Sequence, residues 1–384
     1  MRRFVALVIC AGCVVPAAVA AQPTRVLLRK AQRASGLQAQ RAIPTVREPP
    51  ARFDADAVGA LDREYPPSLQ ATDARLYAGL GLLADGDSLR PKLVADATTA
   101  GAMYDARARV LRVRTRPAPT RAELLNEVVL ALVDQNVGLS RLTNLRPKNR
   151  DAALAANGMV EGLAASASGR RPPALHGAPI ERFLSLERSA GSGVGRALVA
   201  QLRSVGGNIA VVSALRALPQ TTEQLLHVDK LLQRERALPV ALPARVDDRA
   251  VSTTETLTAS ETFGELDVRA LLQAFALSGA TRGATGWGGG KLALYTGKDG
   301  AETVALVLRW DSSEDAAEWH ALVGAYVAAA FAGTQPRVCP AVDHCWLAGT
   351  REIASATVGT TSVLAGGPAG ELVAATLARA NAGS

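Results

Sequence analysis

Histidine is nearly missing from this chain. Four occur in 384 residues, at His176, His227, His320 and His344, and no two stand three to five apart. That spacing excludes a helical zinc site built on two imidazoles at i and i+4. Cysteine is as scarce. Of the four, Cys10 and Cys13 fall near the N-terminus, and one isolated pair remains, Cys339 and Cys345. Past the N-terminal leader no run reaches 18 uninterrupted apolar residues, so no transmembrane span is expected. Lysine is also sparse, and arginine carries most of the formal net charge of +8.

The leader itself reads as a secretory signal over residues 1–21. Arg2-Arg3 precede an apolar run from Phe4, and Ala18-Val19-Ala20-Ala21 supply small residues for cleavage. Ala11-Gly12-Cys13 ends like a lipidation site, but Cys10 stands where leucine is usual and the run before it is short. The expectation is an extracytoplasmic protein, secreted or held at the cell envelope, with a lipoprotein as the less favoured alternative. In an oxidising compartment Cys339 and Cys345, six apart, close a tight loop as a disulfide. Zinc is the alternative there, since His344 adjoins, yet this set offers at most three ligands in an awkward geometry.

Residues 22–52 hold four prolines, and six basic residues against one acid fall within 22–48. Composition reads this as a basic linker with a short helix near Arg25–Ala39. A basic arm favours anionic surfaces such as cell-wall polymers or phospholipid headgroups, and a solvated linker is the plainer reading. No nucleic-acid partner is expected.

The stretch around which the rest is organised is PTRAELLNEVVLALVDQ, from Pro119 to Gln135. Thr120 followed three residues later by Glu123 is a capping-box signature. Leu124, Leu125, Val128, Leu132 and Val133 then recur at the spacing of one helix face. At its centre lies Asn126-Glu127-Val128-Val129-Leu130. With histidine in place of Asn126 and Leu130 it would read HEVVH, a zinc-binding helix.

Six segments carry a family resemblance. They are YDARARVLRVR (Tyr104–Arg114), NEVVLALVDQ (Asn126–Gln135), DAALAANGMVEGLA (Asp151–Ala164), PQTTEQLLHVDK (Pro219–Lys230), TGWGGGKLALY (Thr285–Tyr295) and LRWDSSEDAAEW (Leu308–Trp319). In order and spacing, over about residues 80–330, the chain resembles a bacterial exported family of zinc-metallopeptidase-like proteins of the zincin type. The resemblance implies a peptidase cleft with Glu127 in the place of the general base and Glu161 in the place of the third zinc ligand. It implies an edge strand before the metal helix and, in active relatives, a cleft role for His227, for which helix packing or capping is the favoured reading once zinc is lost. An aromatic that the family carries near Ser192 is gone, and both motif histidines are replaced. Neither a metal nor another cofactor is therefore expected.

The remaining pattern gives an α+β fold. A mainly helical zincin-like domain is expected over 53–246, then a smaller α+β domain with a mainly antiparallel sheet over 250–384. Helices are expected at 55–63, 71–83, 151–165, 180–205, 209–218, 263–277, 313–331 and 368–380, and a hairpin at 102–115 with its turn at 105–109. Strands are expected at 291–296 and 303–310. Leu238–Asp248, with Pro239 and Pro243, reads as a boundary. Gly191-Ser192-Gly193-Val194-Gly195 has no strand before it, and Gly288-Gly289-Gly290-Lys291 lacks the flanking residues of a phosphate loop, so neither is read as a nucleotide site.

The functional expectation is an exported pseudo-peptidase with a remnant cleft of Asn126, Glu127, Leu130, Glu161 and His227 and no catalytic set. It would bind a peptide or an envelope polymer. The alternatives are a metal-independent hydrolase using Glu127 and Glu161, a structural envelope protein, and an active metallopeptidase with another ligand set. Two glutamates without their cation face each other unscreened, so protonation, a basic side chain or water must compensate.

Overall fold

The computed structural model describes residues 25–142, 145–248 and 253–382. The signal read at 1–21 and its lipidation alternative lie outside the described residues. The first part comprises α1 (Arg25–Ser35), β1 (Thr45–Glu48), α2 (Pro50–Glu64), α3 (Pro67–Gly79), α4 (Arg90–Ala97), β2 (Ala102–Asp105), β3 (Val110–Arg114), α5 (Arg121–Val137), α6 (Arg150–Ser168), α7 (Pro179–Arg188), α8 (Arg196–Arg216), α9 (Thr222–Leu226) and α10 (Val228–Gln233). The second comprises β4 (Arg245–Asp248), β5 (Thr253–Thr262), α11 (Glu265–Ala274), β6 (Trp287–Gly297), β7 (Glu302–Trp310), α12 (Ser313–Ala330), β8 (Gln335–Arg337), β9 (His344–Ala348), β10 (Arg351–Val358), β11 (Thr361–Gly367) and α13 (Gly370–Asn381). The fold is α+β: a helical body followed by an antiparallel sheet.

Proline sets several helix starts. It occupies the first turn of α2, α3, α4 and α7, where its fixed φ suits the helix and its missing N–H costs nothing. The sheet runs β4-β5-β6-β7-β11-β10-β9-β8, with antiparallel neighbours throughout. Alternation along β6 and β7 fills two cores. Leu292, Leu294, Leu306 and Leu308 meet α3, α7, α11 and α12 on one face. Ala293, Tyr295, Ala305 and Val307 meet α13 on the other. A third cluster lies within the helical body, around Val128, Leu132, Met159, Leu163, Leu198 and Val211.

Residues 25–48 are not a free linker. Leu27, Ala31, Leu37 and Ile43 are buried in the helical core, and β1 pairs in parallel with β3 in a three-stranded sheet ordered β1-β3-β2. Composition hid this because the exposed face of α1 carries Arg25, Arg29, Lys30 and Arg33 while its apolar stripe is narrow. The boundary at Leu238–Asp248 is likewise laid on the sheet. Leu238 N donates to Gly288 O at 2.6 Å, Tyr295 Oη donates to Pro243 O at 3.0 Å, and Asn381 exchanges bonds with both backbone groups of Ala241. The core on the α12 side of the sheet also takes Tyr77, Ile180 and Phe183 from the helical part, so the two parts share one packed interior.

The glycine-rich segment serves this packing. A Cβ on Gly289 would stand 2.4 Å from Leu238 O, and one on Gly290 would stand 2.2 Å from Phe263 O. Among the described residues one helical stretch, Pro179–Arg216, is long and apolar enough by length and composition to cross a membrane. It contains a π-helical turn at Gly191–Gly195, and its helical dihedrals break at Gly206 and Gly207.

The π-turn lies against α6 backbone to backbone. A Cβ on Gly195 would come within 1.9 Å of Gly158 O, and one on Gly162 would come within 2.3 Å of Gly195 C. No flexible side chain is there to yield. Gly195→Ala is expected to cost about 2–3 kcal/mol or more by forcing these elements apart. Denaturant unfolding measures it, and a loss under about 0.5 kcal/mol would refute the close contact.

Candidate functional site

The capping box forms as the sequence predicts. Glu123 N donates to Thr120 Oγ1 at 3.2 Å, and Thr120 N donates to Glu123 Oε2 at 2.7 Å. The phase of α5 is thereby set: Val128, Val129, Leu132 and Val133 enter the core. Asn126 is fully buried, Leu130 is buried one turn on, and Glu127 is half-buried. On α6, Asn149 caps the N-terminus by accepting from Ala152 N at 2.9 Å, and Glu161 lies half-buried opposite α5.

Three of the expected residues meet. Asn126 Nδ2 donates to Glu127 Oε1 at 3.1 Å and to Glu161 Oε2 at 3.4 Å. Its Oδ1 accepts from Ser168 Oγ at 3.4 Å. Glu127 Oε2 accepts from Tyr104 N at 2.8 Å, on the edge of β2 that β3 leaves free. Tyr104 is pinned in turn, its hydroxyl donating to Asp134 Oδ2 at 2.8 Å. This polar cluster thus lies between α5, α6 and an edge strand.

Both carboxyls hold their protons above the ordinary range. Burial, then the neighbouring Glu161 charge, pushes Glu127 up to about 7, while the Tyr104 amide, Asn126 and Arg170 oppose the rise. Burial also raises Glu161, opposed by Asn126 and Arg170. Glu64, exposed at the end of α2, shares this field. The packing around it raises its carboxyl, Arg63 opposes, and Glu161 and Asp105 add to the rise. Glu64 and Arg170 carry no sequence signal: one ends a helix and the other follows a C-cap glycine, and only the fold brings them to α5.

His227 is placed elsewhere. Its Nε2 lies 2.9 and 3.0 Å from the two carboxyl oxygens of Glu265 on α11, and that bond raises its pKa. It stands between α9 and α10 and ties the helical body to the second part. Lys230, three residues on, does the same, with its ammonium 2.9 Å from Glu223, 2.5 Å from Glu235 and 2.6 Å from Asp311.

The residues present do not fit a zinc ion as the resemblance would bind it. Asn126 stands at the first ligand position and turns its donor face to both carboxylates, and Leu130 offers no donor atom at the second. Among the described residues, groups of three possible ligand atoms occur at Glu223, Glu235 and Asp311 and at Cys339, Cys345 and Glu352. The first already surrounds the Lys230 ammonium. In the second the cysteines are joined as a disulfide with Cα atoms 6.0 Å apart. Strand alternation turns Cys345 into the core under α13, while Trp346 packs toward α12.

A family model described as a domain of unknown function (DUF8575) matches residues 253–376. That span runs from β5 into α13, covering the sheet apart from β4 together with α11 and α12, and does not reach Glu127 or Glu161. No curated protein and no solved structure matches the chain.

Proposed function

We infer that this chain is an exported pseudo-peptidase, similar to zinc metallopeptidases, that holds a peptide or envelope polymer against the polar cluster between α5, α6 and β2. The observation that carries the reading is the Asn126 amide, which bonds both carboxylates where a shared cation would have to sit. An amide donor there satisfies two acceptors and repels a metal. The edge position of β2 supports a peptide ligand, which would pair there in place of the bond from Tyr104 N to Glu127. The basic exposed face of α1 supports retention on an anionic polymer. The disulfide is consistent with an extracytoplasmic location.

The test is metal content and peptidase activity of the purified chain, before and after dialysis against zinc. No peptide hydrolysis and no zinc sensitive to Glu127→Gln are expected. Stoichiometric zinc lost in Glu127→Gln and Glu161→Gln would sink the reading. A second reading, a metal-free hydrolase, is favoured by one observation: a carboxyl near 7 beside a second raised carboxyl is how acid and base pairs are built. It requires hydrolysis that survives chelator and disappears in Glu127→Gln.

A further inference from the structure

We propose that His320 and His344 form a surface site for a divalent transition-metal ion such as Cu2+, Zn2+ or Ni2+, separate from the α5 cluster. His320 lies on α12 and is half-buried, and His344 opens β9 and is exposed. Their Nε2 atoms are 3.2 Å apart. Two imidazole nitrogens on one ion, at about 2.0–2.1 Å and at right to tetrahedral angles, stand roughly 2.9–3.4 Å apart.

A direct hydrogen bond, with one Nε2 protonated, is the competing account of the same separation, and the metal titration below decides between them. A straight bond sets the rings end to end, with centroids roughly 5.5 Å apart at this nitrogen separation. The observed centroids are 4.9 Å apart with the planes inclined at 32°. The rings are therefore bent away from an end-to-end line, and the nitrogen separation is one that a shared ion would set.

The surroundings hold that arrangement. His320 Nδ1 is 3.3 Å from Thr357 Oγ1 on β10, so with Nδ1–H donating there, Nε2 is left with a free lone pair. His344 is braced by the Trp346 ring, with centroids 5.7 Å apart, and by the Cys339–Cys345 disulfide next to it in sequence. Asp343 adds negative charge at this corner, its Oδ2 accepting from Thr357 N at 2.6 Å. Imidazole ligands suit copper, nickel and zinc, and water completes a two-ligand shell. The site lies in the sheet half, where neither the cluster glutamates nor the resemblance assigns a metal.

The experiment is a calorimetric Cu2+ titration of the full purified chain without an affinity tag, with copper paramagnetic resonance on the same sample. One ion per chain is expected, with hyperfine structure from two nitrogens. His320→Gln and His344→Gln should each weaken binding at least about tenfold, with unchanged melting temperature, and the double variant should abolish it. No saturable uptake, or uptake that the double variant retains, overturns the proposal. Metal retained by the double variant but lost in Glu127→Gln would count against the α5 reading as well, so the two failures are distinguishable.

Discussion

Arg150→Met is expected to lower the unfolding free energy by about 3–5 kcal/mol, the largest loss from any single side chain here. The Arg150 side chain is 1% exposed and is ringed by Asp267, Glu187 and Glu261, the last at 3.7 Å. Its guanidinium carbon also lies 5.9 Å from the Tyr77 ring centroid, 6.0 Å from Phe183 and 5.7 Å from Phe263. Methionine fills most of the space but leaves the carboxyls without their cation. The loss is mainly the cost of those stranded charges, not the worth of the pair. Adding Asp267→Asn and Glu261→Gln should therefore recover a large part of it. Denaturant unfolding at neutral pH decides: a single-variant loss under about 1 kcal/mol, or no recovery in the triple variant, would refute this account. Because Asp267 and Glu261 belong to α11 and β5, while Glu187 belongs to α7, the same variant should loosen the helical body from the sheet.

Arg150 also marks the limit of what the sequence displays. It stands at the first position of α6, one residue before the DAALAA segment, where an arginine ordinarily faces solvent. Its three acid partners lie 37, 111 and 117 residues further along the chain. Local patterns were legible: the capping box on α5, the hairpin turn at 105–109, the alternation of β6 and β7, and the break between the helices expected at 180–205 and 209–218. Each is written in residues a few positions apart. Strand β5 was not legible, because TTETLTASET offers little apolar alternation and lies half-buried beside β4. Strand β1 sat in a proline-rich basic stretch, and its partner β3 is more than 60 residues away. Around the cluster, the helix motif marks Asn126 and Glu127, and the family resemblance implies Glu161. Tyr104 and Arg170 became neighbours only through the fold, and His227 was drawn off by Glu265, which no spacing rule connects to it.

Glu127→Gln is expected to stabilise the protein at pH 8 by roughly 1–3 kcal/mol and to change it little near pH 5. In the unfolded chain the carboxyl ionises at its ordinary value of 4.5, whereas in the folded protein burial and Glu161 hold it up to about 7. Between these values the folded state binds more protons than the unfolded one. Its contribution is therefore complete below about 4.5 and is lost as pH rises through about 7. Glutamine cannot ionise, and its one side-chain oxygen can keep the bond from Tyr104 N while Asn126 Nδ2 retains its bond to Glu161, so the variant escapes the ionisation loss for one hydrogen bond given up. Asp151 and Glu223, each pushed to about 7 by burial, slope the same way, so the measurement is the difference between variant and parent at each pH. Glu161→Gln should act in the same direction, and the double variant should gain less than the two singles together, because removing one charge already relieves the other. Thermal melts from pH 5 to 8 give the answer, and a constant offset across that range would refute the unscreened pair. A carboxyl kept only by descent leaves function untouched when it becomes glutamine, whereas a working acid or base loses its turnover while the fold gains stability. Running the hydrolysis assay on the same stabilised variant therefore separates a binding site from a metal-free active site.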